Sequence, residues 1–153
     1  MVEPTATGRI TVAATPETVY ALISDPQSLA GIAEETVTCK LLDGASSVTV
    51  GTRFRGVNRR GVRRWSTVST VTDAAPGRQF AFNVASLGIP VARWDYSITP
   101  AETGCEVVES TWDRRPRWFL GLAYLATGVS DRVKVNTENI ARTLQRLKEK
   151  AEA

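Results

Sequence analysis

The sequence predicts an α+β fold in which a curved, seven-stranded antiparallel sheet wraps around one long C-terminal helix. Seven short segments alternate apolar and polar residues and are separated by turn residues, which is typical of an antiparallel sheet. The segment from Val129 onwards carries apolar residues at helical spacing, and two short helical segments lie between the first and second strands. Because a half-polar sheet must bury its apolar face, we expect the long helix to cover it.

The composition predicts one globular domain, residues 1–153. Hydrophobic residues make up 42% of the chain and charged residues 23%, which are ordinary values for a folded domain. No apolar run reaches the roughly 18 residues of a membrane span, and the N-terminus lacks the apolar core of a signal peptide. The cytoplasm is therefore the expected location.

The chain contains no histidine, and this absence excludes several kinds of chemistry. Ser-His-Asp catalysis, histidine acid–base chemistry and histidine metal sites are all ruled out. The two cysteines, Cys39 and Cys105, are far apart without metal-binding spacing, so we interpret them as buried reduced thiols. We expect no metal and no cofactor.

The first strand, Gly8 to Ala14, leads into the two short helical segments. Thr15-Pro16-Glu17 is a helix start signal, because Thr caps, Pro suits the first helical position and Glu complements the helix dipole. Asp25-Pro26 ends this helix and caps a second one. Neither segment is long enough to be stable alone in water, so we expect both to brace one end of the long helix.

Six further strands follow. Thr36 to Leu42 alternates as a half-buried strand should, and residues 51–73 indicate two long strands joined near Arg59-Arg60-Gly61. Three more strands are expected at residues 78–84, 91–98 and 105–113.

The long helix has one apolar face and one charged face, and it would extend about 35 Å at 1.5 Å per residue. A single helix covers a strongly curved sheet incompletely, so we expect a gap near one end. The predicted apolar face consists of Val129, Val133, Ile140, Leu144, Leu147 and Ala151.

Six segments that span nearly the whole chain carry a family resemblance: "TPETVYALISDP", "VGTRFRGVNRRG", "RRWSTVSTVTDAAPGRQFAF", "WDYSITP", "GCEVVESTWD" and "TLQRLK". In this order they resemble the helix-grip fold of the START-related superfamily, and more closely the bacterial polyketide cyclase/dehydrase and lipid-transport proteins of the actinobacterial type. The resemblance implies an apolar cavity between the sheet and the long helix. It carries over no catalytic motif, since the fold serves carriers, receptors, cyclases and hydrolases alike.

Large aromatic and small polar residues share one face of the central strands, and this mixture suits a ligand cavity. The alternative is that the aromatic residues simply fill the core. The candidate cavity residues on these strands are Trp65, Thr67, Ser69, Phe80, Phe82, Trp94 and Tyr96.

Glu109 is the sharpest single candidate. If Cys105 and Val107 point inward, alternation aims Glu109 into the cavity, where burial would raise its pKa and make it an acid, a base or a hydrogen-bond anchor. The alternatives are a salt bridge with an arginine, or the opposite facing with Trp112 inward. Tyr96 and Asp95 are weaker catalytic candidates.

Two further groups of candidates precede or lie on the long helix. Asn136 and Thr137 lie beside its apolar face near Ile140, where a ligand, a water or the helix's own backbone would satisfy them. The apolar segment 118–127, which includes Phe119 and Tyr124, resembles a mobile lid with Gly121 and Gly128 as weak points. An ordinary packed helix is the alternative.

Six arginines fall between Asp43 and Asp73, where no acidic residue occurs. They would bind phosphate or anionic lipid headgroups, or they would simply solubilise an exposed hairpin. No aromatic-interleaved RNA platform or helix-turn-helix accompanies them, so nucleic acid is not an expected partner. Contact with an anionic surface stays open, as does the choice between a monomer and a homodimer.

These observations favour a protein that binds or transports an apolar or amphipathic molecule, such as a lipid, a fatty acyl chain or a polyketide-like ring. The alternative is a cofactor-free cyclase or dehydratase that acts on a ligand in the same cavity, and an interaction module that uses the basic hairpin is a third hypothesis. Titrating carboxylates on the inner wall would favour the enzyme, whereas a wholly apolar wall would favour the carrier.

Overall fold

A curved sheet of seven antiparallel strands forms the frame of the computed structural model, which describes residues 2–153. The strands lie in the order β1-β7-β6-β5-β4-β3-β2, so that each strand after β2 lies beside its predecessor and β7 also pairs with β1. This confirms the predicted fold class. The strands are β1 (Ala6–Val12), β2 (Thr36–Leu41), β3 (Arg53–Arg60), β4 (Arg63–Ala75), β5 (Gln79–Ser86), β6 (Ile89–Ala101) and β7 (Gly104–Asp113).

Four α-helices and one short 3-10 helix complete the structure. They are α1 (Pro16–Ile23), α2 (Pro26–Ile32), the 3-10 helix (Arg117–Phe119), α3 (Leu120–Thr127) and α4 (Arg132–Glu152). Among the described residues, no helix combines the length and the apolar character that crossing a bilayer requires.

The two short helices begin where the sequence predicts. Thr15 Oγ1 accepts a hydrogen bond from the backbone N–H of Thr18, and Asp25 Oδ1 accepts one from Gln27. These caps satisfy amides that the first turn of a helix leaves free. Both helices contact α4, and Arg146 of α4 forms an ion pair of 2.6 Å with Glu34 after α2. Packing against α4 therefore stabilises both short helices.

The long helix packs mainly along β1, at the edge of the sheet. Ile140, Leu144 and Leu147 are buried there. Gly8 of β1 allows the close approach, since a Cβ at that position would lie 2.7 Å from Ile140 Cγ2. Placing Val133 on the buried face is wrong: its side chain is 47% exposed, because α4 begins only at Arg132 and its inner face begins at Asn136.

Candidate functional site

A cavity of about 210 Å³ lies between the concave side of the sheet, α3 and α4. Because α4 lies along β1 at the edge of the sheet, it leaves the central strands uncovered, and the cavity occurs there. Ten of the residues predicted from the sequence line it: Trp65, Thr67, Ser69, Phe82, Trp94, Tyr96, Glu109, Phe119, Asn136 and Ile140.

Glu109 and Tyr96 form a buried pair on the cavity wall. They are direct partners in the β6–β7 ladder, and Tyr96 Oη donates a hydrogen bond of 2.8 Å to Glu109 Oε1. Glu109 Oε2 is also buried, but it has no hydrogen-bond partner among the described residues. Burial raises the pKa of Glu109 to about 8, although the hydrogen bond from Tyr96 lowers it. The carboxyl is therefore largely protonated at neutral pH.

The facing of β7 decides between the alternatives for Glu109. Cys105, Val107, Glu109 and Thr111 all point inward and are buried. Trp112 points the other way, and its Nε1 donates to the carbonyl oxygen of Val2 at 2.9 Å. Within residues 2–153, Glu109 forms no salt bridge with an arginine. The inward-facing alternative is the one that the structure has.

Burial and the neighbouring Glu109 hold the pKa of Tyr96 well above its usual value. Burial, which is the largest cause, disfavours the charged form of the phenol, and the charge and hydrogen bond of Glu109 act in the same direction. Tyr96 is therefore neutral across the physiological range and serves as a hydrogen-bond donor to the carboxyl.

The inner face of α4 adds three polar residues to the wall: Asn136, Asn139 and Thr143. Asn139 Oδ1 is buried and has no hydrogen-bond partner among the described residues. Thr137 is exposed, and its Oγ1 donates to the Val133 carbonyl oxygen at 2.8 Å. Its partner is therefore the backbone of its own helix, which was one of the alternatives. Sequence reasoning missed Asn139 and Thr143, although both follow Asn136 at helical spacing.

Asn58 of β3 is a further cavity residue that sequence reasoning missed. Its Nδ2 donates to Thr67 Oγ1 at 3.1 Å, and its Oδ1 accepts from Thr36 Oγ1 at 3.0 Å. These bonds fix the rotamer of Thr67 on the cavity wall. Alternation along β3 could have identified Asn58, because it lies two residues after Gly56 and four after the buried Phe54 and so shares their face.

An ion-pair cluster joins the start of α4 to the chain before β2. Arg132 Nη1 donates to both carboxylate oxygens of Glu35, at 2.8 and 3.1 Å, and Arg60 lies 3.6 Å from the same carboxylate. The guanidinium of Arg132 also lies over the Trp65 ring, 5.9 Å from its centroid. Glu35, Arg132 and Trp65 all line the cavity, so this cluster holds one side of it together.

Besides Thr137, three predicted site residues do not line the cavity. Asp95 faces the outer side of β6, where it accepts hydrogen bonds from Gln79 Nε2 at 2.7 Å and Ser97 Oγ at 3.0 Å, so assigning it an acid–base role inside the cavity is wrong. Phe80 is a core residue whose ring packs edge-on against Tyr20 at 6.2 Å. Tyr124 lies on the exposed side of α3.

The predicted lid, residues 118–127, is the 3-10 helix followed by α3. Phe119, Ala123, Ala126 and Thr127 of this segment line the cavity. Gly128 does not weaken the helix, because it lies after the last turn in the left-handed conformation (φ 73°) that ends helices. The argument for a weak helix therefore applies only to Gly121.

Neither cysteine thiol is activated. Cys39 lines the cavity, and burial raises its pKa to about 11, so its thiol stays neutral and a poor nucleophile. In the part of the chain that the structure describes, no three potential metal-ligating side chains cluster. On the wall, Glu109 is the carboxyl whose raised pKa suits proton transfer near neutral pH, and the paired Glu35 and Arg132 add charged groups.

Comparison with known proteins identifies the family. The family described as "Polyketide cyclase / dehydrase and lipid transport" matches residues 3–152. The chain belongs to this family. No curated protein matches the chain.

Several solved structures share the fold of this chain. A Polyketide_cyc-like protein from Corynebacterium glutamicum is 28% identical, with a TM-score of 0.62 and coverage of 97% of this chain and 91% of that one. A Chromobacterium violaceum protein is 15% identical, with a TM-score of 0.70 and coverage of 96% of both chains. The di-domain ARO/CYC StfQ of the steffimycin biosynthetic pathway is 16% identical, with a TM-score of 0.73; the match covers 95% of this family member and 49% of StfQ.

Proposed function

We propose that this protein binds a small, mainly apolar molecule that carries at least one hydrogen-bonding oxygen. The observation that carries the proposal is Glu109, a carboxyl buried on the cavity wall with one oxygen bonded by Tyr96 and the other unpartnered among the described residues. Leaving a buried polar atom without a partner costs about 1–3 kcal/mol. A ligand group that bonds Oε2 would offset this cost.

The protonation state of Glu109 indicates which ligand group fits. With a pKa of about 8, the carboxyl is mostly neutral at pH 7, so it donates a hydrogen bond to a carbonyl or hydroxyl oxygen. Asn139 Oδ1, which also lacks a hydrogen-bond partner among the described residues, would accept from a hydroxyl. Phe82, Trp94 and Phe119 supply apolar surface around these groups. A hydroxylated or keto-bearing ring matches this combination.

The size of the cavity limits the ligand. Its volume of about 210 Å³ corresponds to roughly seven water molecules at ~30 Å³ each, which is below the range of ~300–1,000 Å³ typical of sites for drug-sized ligands. A small fused ring or a short acyl segment fits this volume, whereas a whole membrane lipid needs the cavity to widen. Similarity to an ARO/CYC protein supports a ring compound, rather than an acyl segment, as the ligand.

The pKa of Glu109 also favours a second candidate function, acid–base catalysis of cyclisation or dehydration without a cofactor. Near pH 8 both forms of the carboxyl are populated, as general acid–base catalysis requires. The carboxylate would remove a proton from a carbon next to a carbonyl group. The resulting acid would return that proton to a departing hydroxyl, which leaves as water.

Two compounds that differ by one hydroxyl group test the binding proposal. We expect 2-naphthol to bind about tenfold more tightly than naphthalene, because one hydrogen bond to a buried group contributes about 1.4 kcal/mol. Glu109→Leu should remove this preference. Glu106→Gln, on the outer face of the same strand, is the matched control and should retain it. If neither compound binds, or if Glu109→Leu keeps the preference, the proposal is wrong.

A chemical probe tests the catalytic candidate separately. Elimination of 5-nitrobenzisoxazole requires only that a base remove one proton from carbon, so it reports on a carboxylate in an apolar cavity. The rate should rise with pH through about 8, and Glu109→Gln should lose it while still binding 2-naphthol. If the protein binds 2-naphthol but catalyses no elimination, the catalytic candidate is wrong and the binding proposal stands.

A further inference from the structure

The outer side of α3 exposes apolar side chains to solvent. The segment "LGLAYLAT" contains no charged residue, and a helix that is apolar on all sides is ordinarily buried. In α3 only Ala123 and Thr127 are buried, whereas Leu125 is 68% exposed and Leu122 is also exposed. Trp118 in the preceding 3-10 helix is 67% exposed. Contiguous apolar surface of this kind marks an interaction site.

The tip of the β3–β4 hairpin lies against the end of α3 and extends this apolar surface. Arg63 Nε donates a hydrogen bond of 3.3 Å to the Leu125 carbonyl oxygen, and a Cβ on Gly128 would lie 2.7 Å from the same guanidinium. Val62, beside Arg63 at the tip, is 97% exposed. We call these residues together the α3–hairpin surface: Val62, Arg63, Arg117, Trp118, Leu122 and Leu125.

This surface is cationic as well as apolar. No acidic residue occurs between Asp43 and Asp73, or between Asp113 and Asp131, the two stretches from which the surface is built. Its two arginines, Arg63 and Arg117, form no ion pair with any residue in 2–153. Their charges are therefore available to an anionic partner.

We propose that the α3–hairpin surface docks onto a bilayer that contains anionic lipid. A bilayer offers an apolar layer for Trp118, Leu122 and Leu125 beside a dense array of anionic headgroups for the arginines. Tryptophan and arginine side chains suit this boundary, because each has an apolar body and a polar or charged end. Stable membrane contact needs two signals, and this surface supplies both an apolar and a basic one.

Docking would bring the cavity close to the bilayer. Phe119, Ala123 and Ala126 line the cavity from the same segment whose outer side carries the exposed residues. An apolar ligand partitions into a bilayer, so a protein docked through α3 would have such a ligand beside the cavity wall. The inference goes beyond ligand binding and does not depend on it.

Vesicle co-sedimentation tests the inference. We expect the wild-type protein to bind vesicles of equal parts phosphatidylcholine and phosphatidylglycerol, to bind pure phosphatidylcholine weakly, and to be released as ionic strength rises. Arg63→Gln with Arg117→Gln should weaken binding roughly 25-fold, at about fivefold for each charge. Leu122→Ser with Leu125→Ser should abolish most of the binding, because the apolar signal is lost.

Matched controls lie outside the α3–hairpin surface. Arg78→Gln with Lys150→Gln removes the same charge from two exposed residues elsewhere, and Val2→Ser with Val50→Ser removes two exposed apolar side chains. Both control variants should bind the mixed vesicles as the wild type does.

Three outcomes would overturn the inference. The first is no binding of the wild type to the mixed vesicles. The second is equal loss of binding in the control and surface variants. The third is self-association that Leu122→Ser with Leu125→Ser abolishes while vesicles stay unbound, which would assign the surface to a second copy of the chain. The 2-naphthol experiment is independent of all three, so failure of one proposal does not decide the other.

Discussion

The buried Glu109 carboxyl should make the protein less stable as pH rises through the neutral range. Its pKa is about 8 in the folded protein, against an ordinary value of 4.5. The folded state therefore holds a proton that the unfolded chain has already released, and stability falls with pH wherever the folded state binds more protons. The contribution is complete below about pH 4.5, decreases above it and is lost by the time pH has passed about 8.

The expected magnitude follows from the size of the pKa shift. A difference of about 3.5 units at ~1.36 kcal/mol per unit gives a total of about 5 kcal/mol. Between about pH 5 and pH 7, the loss is about 2.5 kcal/mol of unfolding free energy. This window is favourable for measurement because the chain has no histidine, whose titration would otherwise dominate it.

Urea unfolding of the wild type and of Glu109→Gln at a series of pH values measures the effect. Glutamine keeps the shape and hydrogen-bonding groups of the protonated acid but cannot ionise, so contributions from other groups are shared by both proteins and cancel. The wild type should lose about 2.5 kcal/mol relative to the variant between about pH 5 and pH 7. A difference in stability that stays constant over this range would show that Glu109 titrates normally, and the reasoning from burial would fail.

Two further predictions concern packing and local stability. Gly8→Ala should destabilise the protein by about 1–3 kcal/mol, because the new Cβ would lie 2.7 Å from Ile140 Cγ2; Gly121→Ala, which meets no atom within 4 Å, is the control and should stabilise α3 by up to about 1 kcal/mol in chemical denaturation. In hydrogen exchange, amides from Phe119 to Leu125 should exchange faster than those from Ile140 to Leu147, and an apolar ligand such as 2-naphthol should slow them. Equal protection of the two segments, unchanged by the ligand, would contradict the lid hypothesis.

The regular elements were predictable because each depends on a local pattern. Period-two alternation identified the strands, and Thr15-Pro16 and Asp25-Pro26 identified both short helices, whose caps the structure contains. The ends were less accurate: β6 extends from Ile89 to Ala101, beyond the eight residues with clear alternation. Pairing with β5 and β7 continues the strand where its own pattern stops.

The site was harder to predict because facing and cavity shape depend on contacts between distant segments. Asp95 and Tyr96 are neighbours in a strand and so point to opposite faces, which makes them incompatible as candidates for one cavity; only Tyr96 faces it. Phe80 and Phe82 share one face of β5, but α1 places Tyr20 over Phe80 and leaves Phe82 at the cavity. No local pattern contains that information.

The position of the unpartnered carboxyl follows from how α4 meets the sheet. Gly8 lets Ile140 approach β1 closely, so α4 follows that edge and leaves the inner faces of β3 to β6 uncovered. Glu109 is the ladder partner of Gly8 and therefore stands at the boundary between the packed and the open regions. The packed side removes water from the carboxyl and raises its pKa, while the open side offers Oε2 no protein partner. The close contact at Gly8 thus lies directly beside the chemical group best placed to act in the cavity.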